Sequence, residues 1–130
     1  MNILQQGYIR AVVYTSDARI PIEKAIFTVV KNNGFSQSLI GVRFTDKNGV
    51  TPYISVDAPD VYLSQSSGNE EPFSVVDIRV DHPEYKTYYV TGVQIFAGEV
   101  SVQEAPLLPV DIYTSVDKRS ERFDISKQNL

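Results

Sequence analysis

The chain has 130 residues, of which 42% are hydrophobic and 22% are charged, and this composition is typical of one globular domain rather than of a disordered chain. Its net charge of −4 argues against nucleic acid as a partner, because such a binder needs a basic surface. The absence of cysteine excludes disulfides, thiolate catalysis and cysteine-based zinc sites.

The first half of the chain contains four short segments in which apolar and polar residues alternate. Residues 7–15 are β-branched or aromatic almost throughout and predict the first strand. Residues 20–22 contain a proline and predict an extended edge segment, and residues 24–31 predict the second strand. An Asn-Asn-Gly turn precedes the third predicted strand at residues 39–45. The Asp-Lys-Asn-Gly sequence that follows is a strong hairpin signal, so we predict that the fourth strand, residues 50–56, returns beside the third.

Residues 57–71 have the composition of a loop, and their length is typical of a functional or a disordered segment. The ends of this loop carry four carboxylates that could gather a calcium ion, the alternative being a plainly solvated loop. These acidic residues are Asp57, Asp60, Glu70 and Glu71. Their spacing matches no EF-hand, so we predict no metal site and no cofactor.

Residues 72–109 show the clearest alternation and predict three antiparallel strands. Residues 75–81 and 86–91 are joined by a proline corner, and residues 93–104 follow a break at Gly92. The predicted core consists of Val13, Phe27, Val29, Phe44, Ile54, Val76, Ile78, Val80, Val93, Ile95 and Val102. Alternating strands of this kind form two sheets whose apolar faces pack about 10 Å apart. We therefore predict an all-β fold: a seven-stranded antiparallel β-sandwich with a C-terminal extension and almost no helix.

The pattern changes after Pro109, so we divide the chain into a sandwich domain, residues 1–109, and a C-terminal strand or tail, residues 110–130. Residues 110–116 and 122–126 alternate apolar and polar side chains. Such a segment can add as a strand to a neighbouring subunit, which would give a homo-oligomer or a filament. The alternative is a tail that folds back on its own sandwich or is disordered. The candidate interaction residues are Tyr113, Phe123, Ile125, Tyr85 and Tyr88.

The sequence offers little for catalysis. His82 is the only histidine, it lies in the proline corner, and we interpret it as a solvated turn residue. There is no phosphate-binding glycine loop and no GxSxG motif, so we predict that the chain is not an enzyme. The tyrosines at positions 85, 88 and 89 resemble an aromatic platform of the type that stacks on sugars, although at least one of them must pack inward.

The longest uninterrupted apolar run has only four residues, so we predict no membrane-spanning helix. The first eight residues lack the basic region and the apolar core of a signal peptide. We therefore expect neither a membrane span nor a leader in this sequence.

An ordered set of motifs carries a family resemblance. It comprises P-I-x-x-A-x-F-T-V at residues 21–29, T-D-x-N-G at 45–49, V-D-A-P at 56–59, P-F-S-V-V-D-I-R-V-D-H-P-E-Y at 72–85, V-Q-I-F-A-G-E at 93–99 and L-L-P at 107–109. In this order the motifs resemble the carboxypeptidase regulatory-like, transthyretin-like β-sandwich domain. More narrowly, they resemble the non-catalytic N-terminal region of spore cortex-lytic enzyme precursors of spore-forming Firmicutes. The resemblance covers residues 7–109.

This resemblance implies a seven-stranded antiparallel sandwich with Greek-key character, no active site, and a role in the spore or the cell envelope. Unlike those precursors, the sequence has no peptidoglycan-cleaving domain and no peptidoglycan-binding repeat after Pro109. We therefore expect a stand-alone structural or binding module whose partner is a protein, including a second copy of itself. The alternative is a trans-acting regulatory partner of a peptidoglycan hydrolase of the spore cortex.

Overall fold

The structure is a computed structural model that describes residues 4–59, 72–110 and 120–124, the last of these through the backbone alone. Eight strands lie in these ranges: β1 Leu4–Thr15, β2 Ile26–Asn32, β3 Gln37–Phe44, β4 Ile54–Pro59, β5 Ser74–His82, β6 Tyr85–Ile95, β7 Val100–Leu107 and β8 Ser120–Asp124. No helix forms among the described residues, and none of them therefore belongs to a helix that could cross a membrane.

The strands form two sheets, and the predicted β-sandwich is confirmed. One sheet has three strands in the order β4-β1-β7, and the other has five in the order β3-β2-β5-β6-β8. Most neighbouring strands are antiparallel, as expected, but β1 pairs with β7 and β6 pairs with β8 in parallel. Alternation within a strand does not report the direction of its neighbour, which is why the sequence did not predict the two parallel pairs.

The core lies between the two sheets and is built from the inward-facing residues of six strands and of the segment before β2. The hydrophobic residues that are at least 96% buried are Ile9, Ala11, Val13, Ile22, Ala25, Phe27, Val29, Ile54, Val56, Ala58, Val76, Ile78, Val80, Val90, Val93, Ile95, Ala105 and Leu107. Nine of the eleven predicted core residues are among them. The other two predictions, Phe44 and Val102, are wrong, because their side chains are 60% and 45% exposed.

Phe44 lies on the outer face of β3 because the opposite face approaches the other sheet too closely for large side chains. Gly41 pairs with the buried Val29 and so belongs to the inner face. A Cβ added to Gly41 would lie 2.8 Å from Cγ2 of Ile54 in β4, closer than real contacts allow. A residue without a side chain is therefore required at this position, and the large apolar residues of β3 occupy the outer face.

Val102 points outward because a turn separates it from the strand with which it was grouped. The predicted strand of residues 93–104 consists instead of the end of β6 and most of β7, with Gly98 at φ +76° between them. The parallel register with β1 then sets the inner face of β7, since Ala105 pairs with the buried Val13. Position 102 has the opposite parity from 105 and faces solvent.

The turn at residues 46–49 forms as predicted, but the hairpin pairing is wrong. Oδ1 of Asp46 accepts hydrogen bonds from the backbone N–H of Asn48 (2.9 Å) and of Val50 (3.0 Å). After the turn Val50 bridges to Val12 of β1, and β4 pairs with β1 rather than with β3. The turn therefore carries the chain from the five-stranded sheet to the three-stranded sheet.

Gly92 does not end a strand. β6 continues through it, and the register with β5 shifts between Val76 and Ile78, which is the pattern of a β-bulge. Gly92 has φ +78°, and its N–H donates to Oδ1 of Asp77 at 3.1 Å. The bulge fixes the Asp77 carboxylate against the backbone of the neighbouring strand.

Several predictions concern the chain beyond β7. Val110 N–H donates to the Glu84 carbonyl, and Lys86 N–H donates to the Leu108 carbonyl, so the chain runs along the start of β6 after leaving β7. β8 then adds to β6 of the same chain, with Val90 opposite Phe123. The predicted strand at 110–116 lies almost wholly outside the described residues, as does most of the acidic loop, which includes Asp60, Glu70 and Glu71. The division at Pro109 stays a prediction.

Candidate interaction surface

An exposed apolar strip lies on the outer face of β3, which is an edge strand of the five-stranded sheet. It consists of Leu39, Val42 and Phe44, whose side chains are 66%, 37% and 60% exposed. We call these three residues the apolar strip. At the tip of the β2–β3 hairpin the fully exposed Phe35 extends the apolar surface beyond the strand. Contiguous exposed apolar side chains of this kind mark surfaces that bind other proteins.

The neighbouring strand widens the apolar strip. Cross-strand pairs share a face of the sheet, and the register sets Ile26 opposite Phe44 and Val30 opposite Leu39. Both β2 residues are half-buried. The outer face at this edge therefore presents five apolar side chains on two adjacent strands.

A shallow groove of about 540 Å³ lies beside the apolar strip on the same outer face. It is lined by Thr28, Val30, Gln37, Asp77, Ile78, Arg79, Tyr89 and Thr91. These residues come from β2, β3, β5 and β6, so the groove crosses the middle of the five-stranded sheet. We call it the central groove.

Arg79 dominates the electrostatics of the central groove. Its Nε lies 2.7 Å from Oδ2 of Asp81, and Thr87 Oγ1 donates to the other oxygen of that carboxylate at 3.0 Å. Burial alone would lower the pKa of the Arg79 guanidinium, but the charge of Asp81 and the hydrogen bonds to Asp81 and Tyr89 outweigh it and raise the pKa above its ordinary value. The guanidinium is therefore always charged and held in place, while its side chain is still 49% exposed.

Asp77 gives the groove an opposite charge two residues away on the same strand. One carboxylate oxygen accepts from Gly92 N–H, as described above, and a carboxylate can accept further hydrogen bonds. Asp77 and Arg79 both face outward because the residues between and beside them, Val76, Ile78 and Val80, are buried.

The outer face is thus ordered in rows that run across the strands. The register sets Val42, Thr28 and Arg79 side by side in a first row, and Leu39, Val30 and Asp77 in a second row. Both rows run from the apolar strip to the charged centre of the sheet. They lie two residues apart along β2 and β5, about 7 Å, and three residues apart along β3, where the register shifts.

The tyrosines of the predicted platform are divided between the two faces of β6. Tyr85 and Tyr88 are partly buried and pack against the core, and the Tyr85 ring lies edge-on to His82 with centroids 5.2 Å apart. A register shift between Val80 and His82 brings both tyrosines to the inner side. Tyr89 alone lines the central groove. A single sugar-stacking platform therefore does not form from these three rings.

The remaining predicted interaction residues belong to the tail. Phe123 has a defined backbone position in β8, opposite Val90, but its side chain is outside the described part of the chain. Tyr113 and Ile125 also lie outside the described residues. Their role in an interface stays a prediction.

His82 is held within its turn. Its Nδ1 accepts from the backbone N–H of Glu84 at 3.1 Å. Among residues 4–59 and 72–110, no three His, Cys, Asp or Glu side chains are grouped closely enough to hold a metal ion.

Sequence reasoning missed both the apolar strip and the central groove. The strip was missed because Phe44 had been assigned to the core, although the glycine at position 41 was a signal that the opposite face of β3 is the crowded one. The charged pair on β5 was readable as a solvent face from its alternation with valine and isoleucine. Which strands would flank that pair depended on the sheet order.

No protein-family model matches the chain, and no curated protein matches its sequence. Solved structures with the same fold do exist. A minor pilin of Streptococcus agalactiae is 13% identical with a TM-score of 0.52, and the alignment covers 87% of this chain and 48% of the pilin. A mutant catechol 1,2-dioxygenase of Acinetobacter radioresistens is 14% identical with a TM-score of 0.54, over 93% of this chain and 58% of the enzyme.

The 3-chlorocatechol 1,2-dioxygenase of Rhodococcus opacus is similar at 11% identity and a TM-score of 0.52, over 84% of this chain and 62% of the enzyme. This chain spans less than two thirds of the length of each of these proteins. At such identities the likeness shows the fold alone, and one fold serves both a pilin and enzymes. The resemblance to carboxypeptidase regulatory-like domains and cortex-lytic enzyme precursors stays a prediction.

Proposed function

We propose that this chain is a non-enzymatic β-sandwich building block of the spore or cell envelope. It binds other protein chains, copies of itself included, through the outer face of its five-stranded sheet. The observation that carries the proposal is the apolar strip of Leu39, Val42 and Phe44, together with the fully exposed Phe35. The envelope assignment is supported by the motif resemblance of residues 7–109.

Exposure of the apolar strip to water is unfavourable in free energy, which supports a role in binding. Each fully buried side chain of this size contributes roughly 1.5–3 kcal/mol relative to exposure. Natural proteins usually blunt an edge strand with charges or prolines. β3 carries only Arg43 as a charged residue and no proline. An edge that keeps its apolar side chains is one that a partner covers.

Assembly through the terminal strand is less well supported than assembly through the outer face. β8 pairs with β6 of its own chain, so its donation to a neighbour would first break that pairing. The apolar strip needs no such rearrangement.

A site-specific photocrosslinker tests this proposal with a matched control. The crosslinker is placed at Val42 in one variant and at Val102 in the other, since the two valines are similarly exposed on strands of opposite sheets. We expect protein crosslinks from position 42 in sporulating cells and few from position 102. Mass spectrometry identifies the partner: recovery of the chain itself or of envelope proteins supports the building block. Equal crosslinking at both positions, or none, would refute it.

The second candidate function, a trans-acting regulator of a peptidoglycan hydrolase, is favoured by the likeness of residues 72–85 and 93–99 to cortex-lytic enzyme precursors. In the same experiment it predicts that a lytic enzyme is recovered from position 42. Degradation of peptidoglycan by the purified chain alone would defeat both candidates, because both are non-enzymatic.

A further inference from the structure

We propose that the partner of this surface is a second copy of the same chain, bound face to face through the outer faces of the two five-stranded sheets. The two copies are related by a two-fold axis that runs across the strands, between the row of Val42, Thr28 and Arg79 and the row of Leu39, Val30 and Asp77. This inference rests on the proposed function and names its partner.

The self-complementarity follows from the register. A two-fold axis midway between the rows exchanges them, so each row faces the other row of the partner chain. At the β3 edge this sets Val42 on the partner's Leu39, an apolar contact repeated twice by symmetry. At the β5 position it sets Arg79 on the partner's Asp77, a charge pair that is also repeated twice.

The charged groups have capacity for these contacts. The Arg79 guanidinium uses its Nε for Asp81 and also hydrogen-bonds to Tyr89. A guanidinium has five N–H donors, so donors are left for a carboxylate of the partner chain. Asp77 accepts from Gly92 through Oδ1, and a carboxylate can accept further hydrogen bonds through its two oxygens. Asp81 holds the guanidinium in position before association, which lowers the cost of ordering a long side chain at the interface.

The alternative arrangement, with the axis parallel to the strands, is less favourable. It would set the apolar strip of β3 opposite β8, because the two strands are the opposite edges of the sheet. It would also set Arg79 over the partner's Arg79. Like charges in direct opposition cost free energy, so the charge pattern selects the axis across the strands.

The size of the face indicates a weak dimer. Five strands about 4.8 Å apart and seven residues of about 3.3 Å give a face of roughly 550 Å² per chain, near 1,100 Å² in total. This is at the lower limit for a specific interface, so we expect dissociation in the micromolar range. Association is therefore measured by sedimentation velocity from about 1 to 500 µM.

Two single charge reversals provide the decisive test. Asp77→Arg sets two arginines against each other across the interface, and Arg79→Asp sets two aspartates against each other. Each variant alone should associate at least about tenfold more weakly than the natural chain. An equimolar mixture of the two should recover the dimer, because every reversed residue then faces an opposite charge. Recovery also shows that both variants are folded.

Glu104→Lys is the matched control, since it reverses an exposed charge in β7 of the other sheet. It should leave the dissociation constant within about twofold of the natural chain. The inference is overturned if the natural chain stays monomeric at 500 µM, if the single reversals associate unchanged, or if their mixture recovers nothing. A monomeric chain that still crosslinks from Val42 to another protein would remove this inference and leave the proposed function standing.

Discussion

Gly49 occupies the point at which the chain passes from one sheet to the other, and two separate constraints act on it. Its φ of +76° is a conformation that other residues rarely adopt. A Cβ at this position would also lie 2.3 Å from the carbonyl oxygen of Val13. Gly34, in the β2–β3 turn, has φ +91° but nothing within 4 Å of an added Cβ. A substitution at Gly34 therefore adds backbone strain alone, whereas the same substitution at Gly49 adds backbone strain and a steric clash.

We expect Gly34→Ala to lower the free energy of unfolding by about 1 kcal/mol, the cost of a left-handed alanine. Gly49→Ala should cost about 3 kcal/mol or more, because the backbone of β1 must also move. Urea unfolding of the two variants at a concentration below dimer formation measures the difference. Equal losses would mean that the close approach of Gly49 to Val13 does not exist in solution.

At the scale of the strand, alternation predicted most elements but not always which face points inward. β1, β2 and β5 were predicted within a few residues, because their buried and exposed positions differ strongly in residue type. β3 was assigned the wrong face, since Ile40, Val42 and Phe44 are more apolar than Leu39, Gly41 and Arg43. The close approach of Gly41 to Ile54, a contact between sheets, decided the face, and a single strand does not encode it.

The candidate surface was less predictable than the strands for the same reason. Its rows combine residues of three strands, such as Val42, Thr28 and Arg79, and they exist only through the registers of β2 with β3 and of β2 with β5. A bulge shifts the register of β2 with β3 between Val29 and Val30, and another shifts the register of β5 with β6 near Gly92, at positions that the sequence marks weakly. Tyr85 illustrates the effect, because one register shift moves it from the groove side to the core.

The position of β8 changes the effect on self-association that we expect from deleting the tail. If the tail joined neighbouring subunits, removal of residues 111–130 would reduce assembly. β8 instead covers residues 87–91 at the edge of β6 within its own chain, and its removal would leave unpaired backbone groups on that stretch. We expect the truncated chain to self-associate more than the full-length chain in light scattering. A decrease in mass would instead support the terminal strand as the contact between subunits.

At the scale of the whole molecule, the fold combines two local hairpins, β2–β3 and β5–β6, with pairings between distant parts of the chain. β5 and β6 are joined by a tight turn, whereas β1 pairs with β4 and with β7, so that Tyr8 lies opposite Val100. Closing such long loops costs chain entropy before any contact forms. Folding in milliseconds to seconds is expected for a topology of this kind.

The order of events can be tested with two identical substitutions. Val80 in β5 and Val13 in β1 are both completely buried, so each Val→Ala change should cost about 2 kcal/mol in the free energy of unfolding. Val80 faces Tyr88 across the β5–β6 hairpin. Val13 faces Ala105, and most of the chain lies between these two residues in the sequence.

Because the β5–β6 hairpin can form before β1 pairs with β7, the contacts of the hairpin should already be present in the transition state. Val80→Ala should therefore slow folding, with a φ-value of about 0.5–0.8, and Val13→Ala should mainly accelerate unfolding, with a φ-value below about 0.3. Stopped-flow chevrons of the two variants, recorded below the concentration at which the dimer forms, give both rates. If Val13→Ala slows folding as much as Val80→Ala does, the pairing of β1 with β7 is part of the folding nucleus, and the entropy cost of that long loop is met at the start of folding rather than at its end.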